Sequence, residues 1–192
     1  MRLTTFALTL ATVFSFSAAQ AAATPTLEQI HAAVAAGVAK TKSSVPIAVK
    51  VNSLSGCQPS PEVQGETVCL VGMSAGMNEG YTVLPLRQEN GLWAGVERRD
   101  ARFPGPQPAE AVALLRTWAK AEMAKDPEAA QDKQMNEAAT TMDITSIDDC
   151  QVMRKTGLVR CDVVLTVPGQ AIKISAKMSY AFENGKWRYV LR

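Results

Sequence analysis

One stretch of this chain occurs twice, and no fold that ignores the repeat can accommodate it. Val51 to Cys57 reads V-N-S-L-S-G-C, and Ile144 to Cys150 reads I-T-S-I-D-D-C. Each copy meets a second cysteine, Cys69 or Cys161, after eleven or ten intervening residues. Each then passes through alternating apolar residues to a near-identical turn, Glu89-Asn90-Gly91-Leu92-Trp93 or Glu183-Asn184-Gly185-Lys186-Trp187. The offset is 93 from Cys57 to Cys150, 92 from Cys69 to Cys161 and 94 from Trp93 to Trp187. Landmarks in one order at one spacing identify an internal duplication.

The duplication lies downstream of an export-type leader. Arg2 provides a positive start, Leu3 to Phe16 is apolar, and Ala19-Gln20-Ala21 fits a small-x-small cleavage site. Residues 1–21 are therefore expected to be a signal peptide, cut before Ala22, with a periplasmic or secreted destination; an uncleaved anchor is the alternative. No later run approaches the ~20 apolar residues of a membrane span, so no transmembrane segment is expected in the mature chain. The formal net charge is +2 with both signs interspersed. A nucleic-acid binder would carry a concentrated basic footprint, and none is present.

All four cysteines lie after the leader, two per copy, which suits an oxidising compartment. If each copy descends from a self-sufficient ancestor, its bridge closes within the copy, as Cys57–Cys69 and Cys150–Cys161. Loops of this length stabilise by roughly 3 kcal/mol each on the chain-entropy account. Neither a C-x-x-C spacing nor a nearby histidine supports a metal site, and no cofactor is expected.

The periodicities give an α+β fold in which each copy is an N-terminal helix followed by a four-stranded antiparallel meander. In the first copy, residues 22–98, Thr26 and Gln29 fit a capping box, and Leu27, Ile30, Val34 and Val38 recur at helical spacing to about Lys42. Strands are expected at Ile47–Leu54, Thr67–Ala75, Gly80–Gln88 and Leu92–Arg98, with Gly56–Gly65 a loop. Asn78-Glu79-Gly80 and Glu89-Asn90-Gly91 are expected as hairpin turns. Residues 99–108 form a proline-rich linker. In the second copy, 109–192, Ala109–Lys125 is an amphipathic helix with Val112, Leu115, Trp118 and Met123 toward a core, and Pro127 opens a more polar helix to about Ala139. Strands follow at Met142–Cys150, Leu158–Val167, Ala171–Phe182 and Lys186–Leu191.

Several motifs favour plain structural roles. Gly72-Met73-Ser74-Ala75-Gly76 spells the hydrolase nucleophile elbow, but a strand rather than a helix should follow it, and the only histidine, His31, lies upstream. Met73 and Met77 would suit Cu(I), yet the methionines are scattered, so core filling is the expectation. Asp148-Asp149 reads as a solvated turn. Trp93 and Trp187 hold the same position in both copies and should pack between sheet and helix.

With both tryptophans facing inward, strand alternation assigns the outer faces. In the second copy the outward set includes Lys173, Lys177, Lys186, Arg188 and Arg192, a candidate basic binding face. In the first it includes Tyr81, Val83, Pro85, Leu92, Ala94 and Val96, with Leu70 on the neighbouring strand. That face is apolar and needs cover, from the second copy, its long helix or a partner protein; internal cover is the expectation.

The doubled helix-plus-four-strand unit, with one local disulfide per unit, resembles the tandem-module plan of the β-lactamase inhibitor protein family and, more loosely, the cystatin-type wrap of a sheet around a helix. The resemblance is one of element order across residues 26–192. It implies a scaffold that presents a sheet or its loops to a protein partner. The function expected is therefore a secreted or periplasmic, non-enzymatic binding protein, of inhibitor or immunity type, acting on a protein partner. The alternatives are an envelope accessory protein handling lipid, glycan or an assembly machine, and a hydrolase with an unrecognised site.

Overall fold

The computed structural model of the chain describes residues 24–40, 48–167, 169 and 173–191. In it, Thr26 and Gln29 close the capping box read from the sequence. The Thr26 amide donates to Gln29 Oε1 at 2.9 Å and the Gln29 amide to Thr26 Oγ1 at 3.3 Å, opening helix α1 (Leu27–Lys40). The expected leader, the expected helix end at Lys42, the expected strand start at Ile47, Ala171 and Arg192 lie outside the described residues.

The first sheet has the order β1 (Val49–Pro59), β2 (Glu66–Ala75), β3 (Asn78–Glu89) and β4 (Leu92–Gly95), all antiparallel neighbours. Two expectations are corrected here. The stretch Gly56–Pro59, expected as loop, is strand, because irregularities between Val51/Ser53 and Leu54/Gly56 bend β1 and let it continue to Cys57, opposite Cys69. The first hairpin turn lies at Gly76-Met77 rather than Asn78–Gly80, since Ala75 pairs with Asn78 and Gly76 takes φ +60°. The second turn is as expected, with Asn90 at φ 51°.

Helix α2 (Pro108–Lys125) opens the second copy with proline in its first turn. The polar helix expected from Pro127 is instead a 3₁₀ turn, Ala129–Gln131, followed by α3 (Lys133–Thr140). Asp132 sets this break by accepting the Met135 amide at 2.9 Å as N-cap. The second sheet then runs β5 (Asp143–Val152), β6 (Val159–Thr166), β7 (Lys173–Glu183) and β8 (Lys186–Val190). Both disulfides close within their copies, Cys57–Cys69 and Cys150–Cys161.

The first sheet is apolar on both faces. One face presents Val51, Cys69, Val71 and Leu86, with Leu84 and Trp93, to Ile30 and Ala33 of α1. The other presents Val68 and Leu70, both wholly buried, with half-buried Tyr81 and Val83. This second face belongs to the larger core, with α2, the inner face of the second sheet and Phe103. Internal cover is thus what the fold provides for Leu70, Tyr81 and Val83, and Pro85 is buried too. Leu92, at the far edge, remains 75% exposed.

The proline-rich segment 99–108 is a packed strap rather than a slack connection. Phe103 is 1% exposed, with its ring centroid 5.2 Å from Phe182 and 6.0 Å from Trp187. Gly105 lies against the Cys150–Cys161 bridge. Just before the strap, Arg98 Nη1 donates to Glu62 at 2.5 Å and Nη2 to the buried Glu66 at 2.6 Å, which holds the guanidinium proton more firmly than usual. Arg102 spans the copies, reaching Asp149 at 3.4 Å and Glu62 at 3.8 Å.

Backbone bonds complete the joint. The Tyr81 amide on β3 donates to the Arg154 carbonyl at 2.7 Å, and the Asn184 amide donates to the Ser55 carbonyl at 3.1 Å. Gly157, at φ +69°, lies so close to the Tyr81 ring that an added Cβ would sit 2.7 Å from it.

Candidate functional site

Helix α2 carries two apolar stripes. Ala111, Val112, Leu115 and Ala119 are buried against the second sheet. Leu114 and Trp118, half-buried against the same core, line a groove together with Ala121, with Thr117, Glu122 and Lys125 along its rim. The facing wall is β8 with Leu191, and the groove encloses about 820 Å³ along the strand. Trp118 and Tyr189 meet edge to face across its floor, ring centroids 5.1 Å apart. Burial pushes the Tyr180 phenol upward, with Tyr189 adding to the shift, and burial likewise raises Tyr189. Both therefore act as apolar rings with neutral hydroxyls.

β8 is an edge strand, and the hairpin register determines what its edge offers. Glu183 and Lys186 flank the two-residue turn, so they form a hydrogen-bonded pair, as do Ala181/Arg188 and Ser179/Val190 in alternation. The intervening residues, Trp187 and Tyr189, turn their backbone N–H and C=O groups away from β7. Among the described residues no further strand or loop bonds to that edge. Their side chains point inward, and those of Lys186 and Arg188 point outward. The groove therefore combines free backbone groups, an aromatic floor and cations on the outer rim.

The remaining sequence candidates fall elsewhere. Lys186 and Arg188 sit on the groove rim, whereas exposed Lys173 and Lys177 lie toward the opposite end of β7. Lys177 donates to Asp162, and Arg188 reaches Glu183 at 3.4 Å. The outer face of the second sheet is thus of mixed charge, because β5 and β6 contribute Asp148 and Asp162. Arg192 lies outside the described residues. Ser74 sits in β2, which continues into a hairpin and not a helix, and His31 is exposed on α1. Met77 corrects the core-filler expectation: it is fully exposed at the β2–β3 tip, while Met73 packs on the first core. Among the described residues no three His, Cys, Asp or Glu side chains gather to hold a metal ion, and no helix is long and apolar enough to cross a membrane.

Trp118 packs on the core as expected and also lines the groove, whereas Leu114, Ala121, Tyr189 and Leu191 are not singled out by the sequence. The available signal was that apolar residues at 112, 114, 115, 118, 119 and 121 cover more of the helix than one face needs. No protein-family model matches the chain, and no curated protein matches it.

Proposed function

We propose that this is a secreted or periplasmic, non-enzymatic binding protein that captures an extended segment of a protein partner by adding it as a strand beside β8. The observation that carries the reading is the pairing of the outward Trp187 and Tyr189 backbone groups with the apolar α2 groove directly beneath them. Strand addition draws its affinity from main-chain hydrogen bonds and its selectivity from pockets for alternate side chains. Here the main chain of β8 supplies the first, and Leu114, Trp118 and Ala121 supply the second. The leader-like N-terminus and the two local disulfides support an exported, oxidised protein. The doubled-module resemblance to β-lactamase inhibitor proteins supports a protein partner.

The test is selection of linear peptides from a display library on the purified, oxidised protein, counter-screened on Ala121→Arg. Ala121 is exposed on α2, so arginine there obstructs the groove without disturbing the core. Clones retained by the wild type and lost on the variant, whose peptides slow hydrogen exchange at Trp187 and Tyr189, support the reading. Clones that bind both proteins equally, or protect neither amide, overturn it.

A further inference from the structure

The geometry points to the kind of segment that β8 accepts: one that alternates acidic and apolar residues. This inference rests on strand addition at β8 and adds the partner's chemistry to it. A strand laid beside β8 has the same period of two, so its side chains separate cleanly between the two faces. Positions opposite Trp187 and Tyr189 project inward, over Trp118, Leu114 and Ala121. They are filled by apolar side chains, which the aromatic floor desolvates. Positions opposite Lys186 and Arg188 project onto the outer face. No ion pair forms on Lys186 among the described residues, and Arg188 holds Glu183 only at 3.4 Å with both side chains more than half exposed. Glutamate or aspartate opposite these two cations forms favourable cross-strand pairs, and lysine or arginine there is repelled.

Arg188 also argues against a second copy of the chain as the occupant. Symmetric antiparallel pairing of β8 with itself, joining Trp187 to Tyr189 of the second copy, sets Arg188 directly opposite its own equivalent. Like charges facing each other across a strand pair are destabilising. On the α2 side of the rim Lys125 is held by Glu122 at 2.9 Å, so the cations available to an incoming strand are those of β8.

The experiment uses two blocked heptapeptides, one alternating glutamate and valine, the other with lysine in place of glutamate. Each is titrated calorimetrically into the wild type and into the K186E/R188E variant. The glutamate peptide is expected to bind the wild type about tenfold more tightly than the lysine peptide, two cross-strand pairs changing sign, with the preference reversed in the variant. Equal binding of the two, or tighter binding of the lysine peptide, overturns the acidic pattern and leaves strand addition standing. If neither binds while the display selection yields groove-dependent peptides of another pattern, again only this inference falls. If neither binds and the selection yields nothing, both fall. A concentration-dependent dimer in sedimentation, abolished by Ala121→Arg, makes the occupant a second copy and overturns the inference.

Discussion

Leu70 belongs to the first copy by sequence and to the core of the second by packing, so truncating it tests whether the copies fold as one. It is wholly buried, pairs with Val83 across β2–β3, and lies in the same cluster as Phe103, Val112, Leu115 and Trp187. Leu→Ala at buried sites costs about 2–5 kcal/mol. Leu70 is wholly buried within that cluster, so about 3 kcal/mol, inside that range, is the working value. With a urea dependence of about 2 kcal/mol per molar, the midpoint of Leu70→Ala falls by about 1.5 M. The discriminating feature is which probe reports the fall. Trp93 packs on α1 in the first core, whereas Trp187 lies in the second. In variants that retain Trp93 alone or Trp187 alone, Leu70→Ala is expected to lower both midpoints by the same amount. Phe103→Ala, approached from the strap, should do likewise, at about 3–5 kcal/mol. If the Trp187 transition stays within about 0.3 M of its parent (about 0.6 kcal/mol on the same slope) while Trp93 melts early, the shared core is refuted.

Two further perturbations address the polar parts of the scaffold. Arg98→Met leaves Glu66 buried without its cation, so the melting temperature should fall, and adding Glu66→Gln should restore part of the loss, since the residual cost is an unpaired buried carboxylate. For Tyr180 and Tyr189 the folded state raises the phenol above its ordinary value near 10.0. A raised acid stays neutral in the fold while the unfolded chain ionises, so stability is intact below the unfolded value and falls as pH rises above it. Urea midpoints should be flat to about pH 9.5 and decline beyond it, and Tyr180→Phe should flatten that decline.

The duplication, the local disulfides, the capping box and the Asn-Gly turns were legible because each depends on residues close together in the chain. Asn90 and Asn184 both hold positive φ because the two-residue hairpin demands it, whatever surrounds them. The continuation of β1 through Gly56–Pro59 was not legible. A stretch rich in serine, glycine and proline reads as loop until a cross-strand partner, here β2 with its cysteine, holds it extended. The outer-face alternation correctly placed Leu70, Tyr81 and Val83 together, yet one member of the core they join, Phe103, sits in a segment whose prolines signalled only a boundary. The groove was missed for a related reason. Periodicity shows that a helix has apolar residues to bury, but not that Leu114 and Trp118 face an edge strand while Leu115 and Ala119 face the sheet.

The two copies share their elements, so what distinguishes them is how their sheet edges end. In the first copy the joint consumes free edges: the Ser55 carbonyl of β1 is taken by Asn184, and the Tyr81 amide, where β3 extends past the short β4, is taken by Arg154. Helix α1 packs onto β1 and β4. In the second copy, α3 and the 3₁₀ turn pack with α2, and α2 extends beside β8. The tryptophan that opens the last strand records the difference: Trp93 is half-buried against α1, while Trp187 is held from behind by Phe103, Phe182 and Tyr180. That backing fixes the direction of the Trp187 backbone groups, so under the proposed strand addition little ordering of β8 would be needed on association. An exposed edge is ordinarily a hazard that a fold conceals. Here Phe103 of the strap packs behind β8, and among the described residues nothing pairs with its outer side, the arrangement that the proposed strand addition requires.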